Sequence, residues 1–183
     1  MVAEFYSYRS LARKKYMNSG GVIKYRDLKL SDRNNVIKQK MFGCNSVAIH
    51  IRRGDYLSPD FYNLYWHLED TGYYQNALEL VRNRFGTYSL FVFSDDMEWC
   101  KANLASPFLD EVIFIDWNKG DDSIYDMYLM SHAKANVIAN STFSFWGAYL
   151  NRRSELTIYP VRWYAEGSGF VNPDIFPQGW IGL

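Results

Sequence analysis

Two adjacent guanidinium groups end an apolar run in the segment Val47-Ala48-Ile49-His50-Ile51-Arg52-Arg53-Gly54-Asp55-Tyr56. A planar guanidinium stays charged at any working pH and makes paired hydrogen bonds to phosphate or carboxylate oxygens. Two of them with a histidine at one point of the chain predict recognition of an anionic ligand. Successive side chains of a strand point to opposite faces, so one arginine is expected to face a cleft while the other pairs with a carboxylate such as Asp55. The plainer reading is an arginine–aspartate surface pair that closes a turn. Arg53-Gly54-Asp55 also matches an adhesion tripeptide, but that use needs a protruding loop rather than the end of a core strand.

A second constellation is Ala139-Asn140-Ser141-Thr142-Phe143-Ser144-Phe145-Trp146-Gly147. A short strand here runs into small hydroxyl residues and then a helix, so amides, hydroxyls and the positive end of a helix dipole converge on one point. Such a loop can hold a phosphate without a lysine. Ser141 or Thr142 could equally serve only as the helix cap, and the two roles are compatible. Asn140-Ser141-Thr142 matches a glycosylation sequon, a use rejected for a strand end in a chain with no secretory signal. A third constellation is acidic: Asp95-Asp96, Asp121-Asp122 and Asp126. Its spacing matches no known metal cage and the three histidines stand apart, so no metal site is assigned. Asp126 is either the dipole partner of a helix start or a carboxylate that accepts two N–H groups from a guanine edge.

The elements that must position these residues alternate along the chain. Ser46–Ile51 is β-branched and apolar and reads as a strand covered on both faces. Gly72–Arg84 carries Tyr73, Ala77, Leu80 and Val81 at helical spacing, and Ser89–Phe93 is a second apolar strand running into Ser94-Asp95-Asp96. A helix over Met97–Asn103, a strand over Val112–Ile115, a helix over Ile124–Lys134, a strand over Asn136–Ile138, a helix over Phe143–Leu150 and a last strand over Thr157–Tyr159 follow. Such repetition predicts an α/β fold with a Rossmann-like, doubly wound parallel sheet, whose ligands bind at the carboxyl ends of the strands. The aromatic, turn-rich connection from Gly54 to Thr71 is expected to cover the cleft; Tyr56, Tyr62, Tyr65 and Trp66 within it could stack on a sugar ring. Residues 1–40 read as a linker and adjunct helices, with Ser31 capping a helix through about Lys40, and residues 41–183 as the Rossmann-like ligand-binding domain.

Composition narrows the class. With 183 residues, 48% hydrophobic and 18% aromatic, the chain can bury one substantial core. Twenty basic and twenty acidic residues cancel, so no global field points to nucleic acid and the anion site must be local. Cys44 and Cys100 have no paired spacing and are expected to be reduced, buried thiols. Met1–Met17 carries charges throughout and reads as neither a signal peptide nor a spanning helix, which makes a cytoplasmic setting the expectation, with peripheral membrane association left open.

The segments His50–Tyr56, Phe93–Asp96, Asp116–Gly120, Asp126–Ser131 and Ala139–Ala148 resemble, in order, the motif series of glycosyltransferase family 11, the α-1,2-fucosyltransferases, over about Leu30 to Ile181. The resemblance implies a GT-B architecture and transfer of fucose from GDP-fucose, with inversion and without a metal or other cofactor, to a sugar hydroxyl of a glycan acceptor. It implies that Arg52 is catalytic at the β-phosphate. His50, Asp55, Ser94, Asp95, Asn140, Ser141, Thr142, Phe143 and Ser144 would line the donor site, Asp126 would read guanine, and Arg53 would support the site. A GDP-sugar-binding module without turnover is the alternative. The glycine-rich segment that family members carry near their N-terminus has no counterpart here. The chain thus resembles a C-terminal, donor-binding half, whose former interdomain face could support self-association.

Overall fold

The computed structural model describes Tyr25, residues 28–104 and residues 109–183. The expectation for Met1–Met17 lies outside these residues. Helix α1 (Asp32–Phe42) starts where Ser31 Oγ accepts the Asn34 N–H at 3.2 Å, and it buries Ile37 and Met41. Strand β1 (Ser46–Ile51) is buried along its whole length. There follow α2 (Tyr73–Phe85), β2 (Tyr88–Ser94), α3 (Met97–Asn103), β3 (Leu109–Ile115), α4 (Ser123–Met130), β4 (Ala135–Val137), α5 (Thr142–Tyr149), β5 (Leu156–Tyr159) and β6 (Ile181–Gly182).

The six strands form one sheet in the order β3-β2-β1-β4-β5-β6, and each neighbouring pair is parallel. This is the Rossmann-like arrangement that the alternation of elements predicts. Its strand order reverses direction between β1 and β4, and a crevice opens at that switch point beyond the strand ends.

Strand alternation sorts the core into two layers. Val47, Ile49, Ile51, Leu90 and Val92 pack with Tyr73, Tyr74, Ala77 and Val81 of α2 and Cys100 of α3. Ala48, Phe91, Phe93 and Ile115 pack with Ile37 and Met41 of α1 and Leu129 and Met130 of α4. Burying each such aliphatic side chain stabilises the fold by about 1.5–3 kcal/mol. The same alternation puts His50 and Arg52 on the α1/α4 side and Arg53 on the α2/α3 side. A third cluster joins Phe145 and Ala148 of α5 to Ile138 and Trp163, with Tyr159, Phe176 and Trp180 packed on it.

Two sequence expectations are corrected. The helix expected over Ile124–Lys134 ends at Met130: the Lys134 N–H that would bond the Met130 carbonyl in a continued helix donates to the Ser46 carbonyl at 2.9 Å, and the Met130 carbonyl accepts the Ala133 N–H at 3.3 Å and the Asn136 and Asn151 side-chain amides at 2.9 and 3.3 Å. Thr157–Tyr159 is not the last strand: Ile181–Gly182 adds a short edge strand, held where Leu183 N–H donates to the Tyr159 carbonyl at 3.0 Å. Two residues are too short to show a period, and Gly182 fits because a Cβ there would lie 2.7 Å from Val161 Cγ1. Cys44 and Cys100 are free thiols, Cys44 half-buried and Cys100 buried; burial pushes the Cys100 thiol up to about 11.

Candidate functional site

A cleft of about 630 Å³ opens at the switch point. Its lining includes His50, Arg52, Asp55, Ser94, Asp95, Asp126, Asn140, Ser141, Thr142 and Phe143, so ten of the twelve candidate residues read from the sequence converge on it. Arg53 and Ser144 do not line it. Ser144 is buried beneath the loop and donates to the Ser141 carbonyl at 3.1 Å and the Ala139 carbonyl at 3.3 Å, which fixes the loop's shape from behind.

The two arginines divide the work in an unexpected way. One was expected at the cleft and the other on a carboxylate such as Asp55, but Arg52 does both. Its Nη2 lies 2.6 Å from Asp55 Oδ2 and its Nε 3.3 Å from Asp95 Oδ2. Burial works against its charge, yet the Asp95 and Asp55 carboxylates outweigh burial and raise its pKa. Arg53 points through the sheet's other face, where it pairs with Asp96 and Glu69 and lies over the Trp99 ring. Asp95 ties the two together, because its Oδ1 accepts the Arg53 backbone N–H at 2.9 Å. Gly54 permits this approach: a Cβ there would stand 3.1 Å from Asp95 Oδ2.

His50 sits behind Arg52, buried, with its ring 5.3 Å from that of Phe143. Burial first, and the Arg52 charge second, push its pKa down to about 3, so the ring is neutral at physiological pH. Nδ1 is buried without a partner. An N–H buried without an acceptor is costly, which assigns the single ring proton to Nε2.

On the β4 side, Ser141 Oγ caps α5 by accepting the Phe143 N–H at 3.3 Å. The capping role and the placement at the cleft hold together, and the start of α5, the positive end of its dipole, lines the same cleft as Arg52. Asn140 is buried, and its amide donates to the carbonyls of Trp66 and Trp163, both at 2.9 Å. It staples the 54–71 connection to the segment after β5. Tyr56 reinforces that joint by donating to the Asn140 carbonyl at 2.9 Å, and its ring stacks on Tyr65 at 3.7 Å.

Asp126 also lines the cleft and is in none of the ion pairs among the described residues. Burial pushes its pKa up to about 7, against the Asn118 hydrogen bond and the Lys119 charge. The carboxylates of the acidic cluster do not gather. Asp95 and Asp96 are held by arginines, and no group of three or more His, Cys, Asp or Glu residues is placed to hold a metal among the described residues.

Sequence reasoning had no physical argument for Asn118, Lys119, Gly120 and Ser123, or for Trp163, Tyr164, Val171, Pro173 and Ile175, all of which line the cleft. In the first group, Asn118, Lys119 and Gly120 lie in a motif noticed only through the resemblance, and Ser123 lies between two such motifs. The second lies in an irregular segment without a period; its aromatic density was the available signal. Of the aromatic residues in the 54–71 connection, Tyr56, Phe61 and Tyr65 line the cleft, whereas Tyr62 packs on His67 and Trp66 on the core.

No helix among the described residues is long and apolar enough to cross a membrane. The chain is 41% identical over 140 residues to an alpha-1,2-colitosyltransferase of Escherichia coli, covering 75% of this chain and 47% of the relative. It is 32% identical over 140 residues to the O-antigen biosynthesis glycosyltransferase WbnK of the same organism, covering 76% and 45%. To a galactoside 2-alpha-L-fucosyltransferase SEC1 of Bos taurus it is 34% identical over 143 residues, covering 75% and 38%. The chain thus spans less than half the length of these relatives. The model of glycosyl transferase family 11 matches residues 5–183, and with this match and the ordered motifs around one cleft the chain belongs to glycosyltransferase family 11.

Proposed function

We propose that this chain is the donor-binding part of an inverting α-1,2-fucosyltransferase-type enzyme that takes GDP-fucose and transfers the sugar to a hydroxyl of a glycan acceptor, with no metal in the step. The observation that carries this reading is the convergence of Arg52, His50 and the capped start of α5 on one cleft that Asp126, a carboxyl outside the ion pairs, also lines. That arrangement suits a diphosphate at Arg52 and a purine edge with adjacent N–H donors at Asp126. The aromatic wall of Tyr56, Tyr65, Trp163 and Tyr164 suits a sugar ring.

In the transfer, the acceptor oxygen attacks the anomeric carbon as its bond to the β-phosphate oxygen breaks on the opposite side, and the acceptor proton passes to a base. Charge grows on the departing phosphate, and Arg52, already oriented by Asp55 and Asp95, is matched to that growth. Asp55 is engaged in orienting Arg52 at 2.6 Å, and no base is assigned to take the acceptor proton. The same fact favours a second reading: a GDP-sugar-binding module that does not transfer on its own.

The test is an assay of GDP-fucose with a galactoside acceptor, following fucosylated product and released GDP. Arg52→Ala is expected to lower turnover by about two to three powers of ten while leaving folding intact. Undiminished turnover in Arg52→Ala would remove the assignment. Tight donor binding without product in the unaltered chain would favour the binding module.

A further inference from the structure

Asp126 lines the cleft beside its hydrogen-bonded neighbour Asn118, and behind Asn118 stand Asn34 and Trp117, which are outside the cleft's lining. Asn118 Nδ2 donates to Asp126 Oδ1 at 2.6 Å. The Asn118 amide is locked head to tail with Asn34 of α1: Asn34 Nδ2 donates to Asn118 Oδ1 at 3.0 Å, and Asn118 Nδ2 also reaches Asn34 Oδ1 at 3.2 Å. Asn34 Oδ1 accepts in addition from Trp117 Nε1 at 2.8 Å. Asn34 is 1% exposed and Asn118 8%, so water does not compete for these groups.

The direction of these hydrogen bonds follows from the indole. A Trp N–H can only donate, so the Asn34 atom facing it must be the oxygen. Asn34 then presents its nitrogen to Asn118, whose oxygen must face back toward Asn34 and whose N–H is left for Asp126. Turning either amide over would set oxygen against oxygen or N–H against N–H. We propose that Trp117 and Asn34 are positioning residues for nucleobase selection: they fix which end of the Asn118 amide meets Asp126 and so keep that carboxyl an acceptor for the paired N–H groups of a guanine edge. This rests on the reading that Asp126 meets the base.

The groups around Asp126 are few in kind. Lys119 and Asn118 come from the loop before α4, α1 supplies the neutral Asn34, and α5, Thr142–Tyr149, carries no charged residue. Arg33 of α1 is turned away, 3.5 Å over the Trp117 ring and near Asp116. The loss of orientation is therefore felt at Asp126 through Asn118 alone.

The experiment is calorimetric titration of the full chain with GDP, ADP and inorganic pyrophosphate across pH 5.5–8.5, on wild type, Asp126→Ala, Trp117→Phe and Asn34→Leu, each checked by thermal melting. Trp117→Phe keeps an aromatic ring under Arg33 and removes the indole N–H donor. In Trp117→Phe and Asn34→Leu, the GDP affinity and the GDP-over-ADP preference are expected to fall together by about tenfold or more, the loss typical of a hydrogen bond to a charged group. Pyrophosphate affinity is expected to stay unchanged, and the midpoint of the pH profile for GDP to move upward. An unchanged GDP-over-ADP preference in Trp117→Phe, or a loss shared equally by pyrophosphate, overturns the proposal even if Asn34→Leu fails to fold. If wild type does not prefer GDP, or Asp126→Ala keeps the preference, the base-site reading falls and the proposal with it.

Discussion

Arg52 and Arg53 carry the same chemistry to opposite faces of the sheet, and strand alternation alone decides which of them can meet a ligand. Arg52 shares the parity of Ala48 and His50 and enters the cleft; Arg53 shares that of Ile49 and Ile51 and is held by Glu69 and Asp96. The two sites are joined by Asp95, which contacts both, and Gly54 gives Asp95 the room to do so. In Gly54→Ala the new methyl would stand 3.1 Å from Asp95 Oδ2, closer than an ordinary contact. The carboxylate must shift, and the orientation of Arg52 shifts with it. The expected result is weaker phosphate binding, by about tenfold if one charge-assisted hydrogen bond is lost, with little change in melting temperature. Unaltered GDP affinity in that variant would show that Asp95 does not orient Arg52.

At the scale of elements, the cleft depends on how closely α5 approaches α4, because Ser141, Thr142 and Phe143, which line it, form the start of α5. Gly147 sets that distance: a Cβ there would lie 3.1 Å from Met130 Cβ, an atom next to the backbone that cannot swing away. Gly147→Ala is expected to destabilise the protein by about 1–3 kcal/mol, as overpacking does, and to weaken donor binding by displacing the loop. Denaturant unfolding measures the first effect and titration the second. Much of this framework was legible in the sequence. The β1, α2, β2, α3 and α5 segments announce themselves by apolar period and by caps such as Ser141. What was not legible depends on partners distant in the chain. The end of α4 is set where the Lys134 N–H turns to the Ser46 carbonyl and the Asn136 and Asn151 amides meet the Met130 carbonyl, and the Asn34–Asn118 pair joins residues 84 positions apart. The wall after β5 has no period at all, since it is held by the Asn140 amide and by rings such as Tyr159 on Phe176 at 3.7 Å.

For the molecule as a whole, pH offers a separate test of the cleft's polarity. Asp126 has a pKa raised to about 7 by burial, above the roughly 3.9 of an unfolded aspartate. Between those values the folded state holds a proton that the unfolded state has lost, so this group's contribution to stability falls as pH rises from about 4 to 7. Guanine recognition works in the opposite sense, because it needs the ionised carboxylate. GDP affinity is therefore expected to drop by about tenfold per pH unit below 7, over and above the titration of the phosphate itself. Asp126→Asn should flatten that extra slope. His50, at about 3, stays neutral in this range and contributes nothing to it.

The claim that the switch-point cleft is a GDP-sugar donor site is tested most directly by calorimetric titration of the unaltered chain with GDP and UDP at neutral pH. The diphosphate is common to both, so the difference isolates the base end of the cleft. Saturable GDP binding with UDP weaker by at least about tenfold, one hydrogen-bonded base edge in size, is the expected outcome. Equal binding of the two, or binding of neither, would contradict a guanine-selective donor site in this domain.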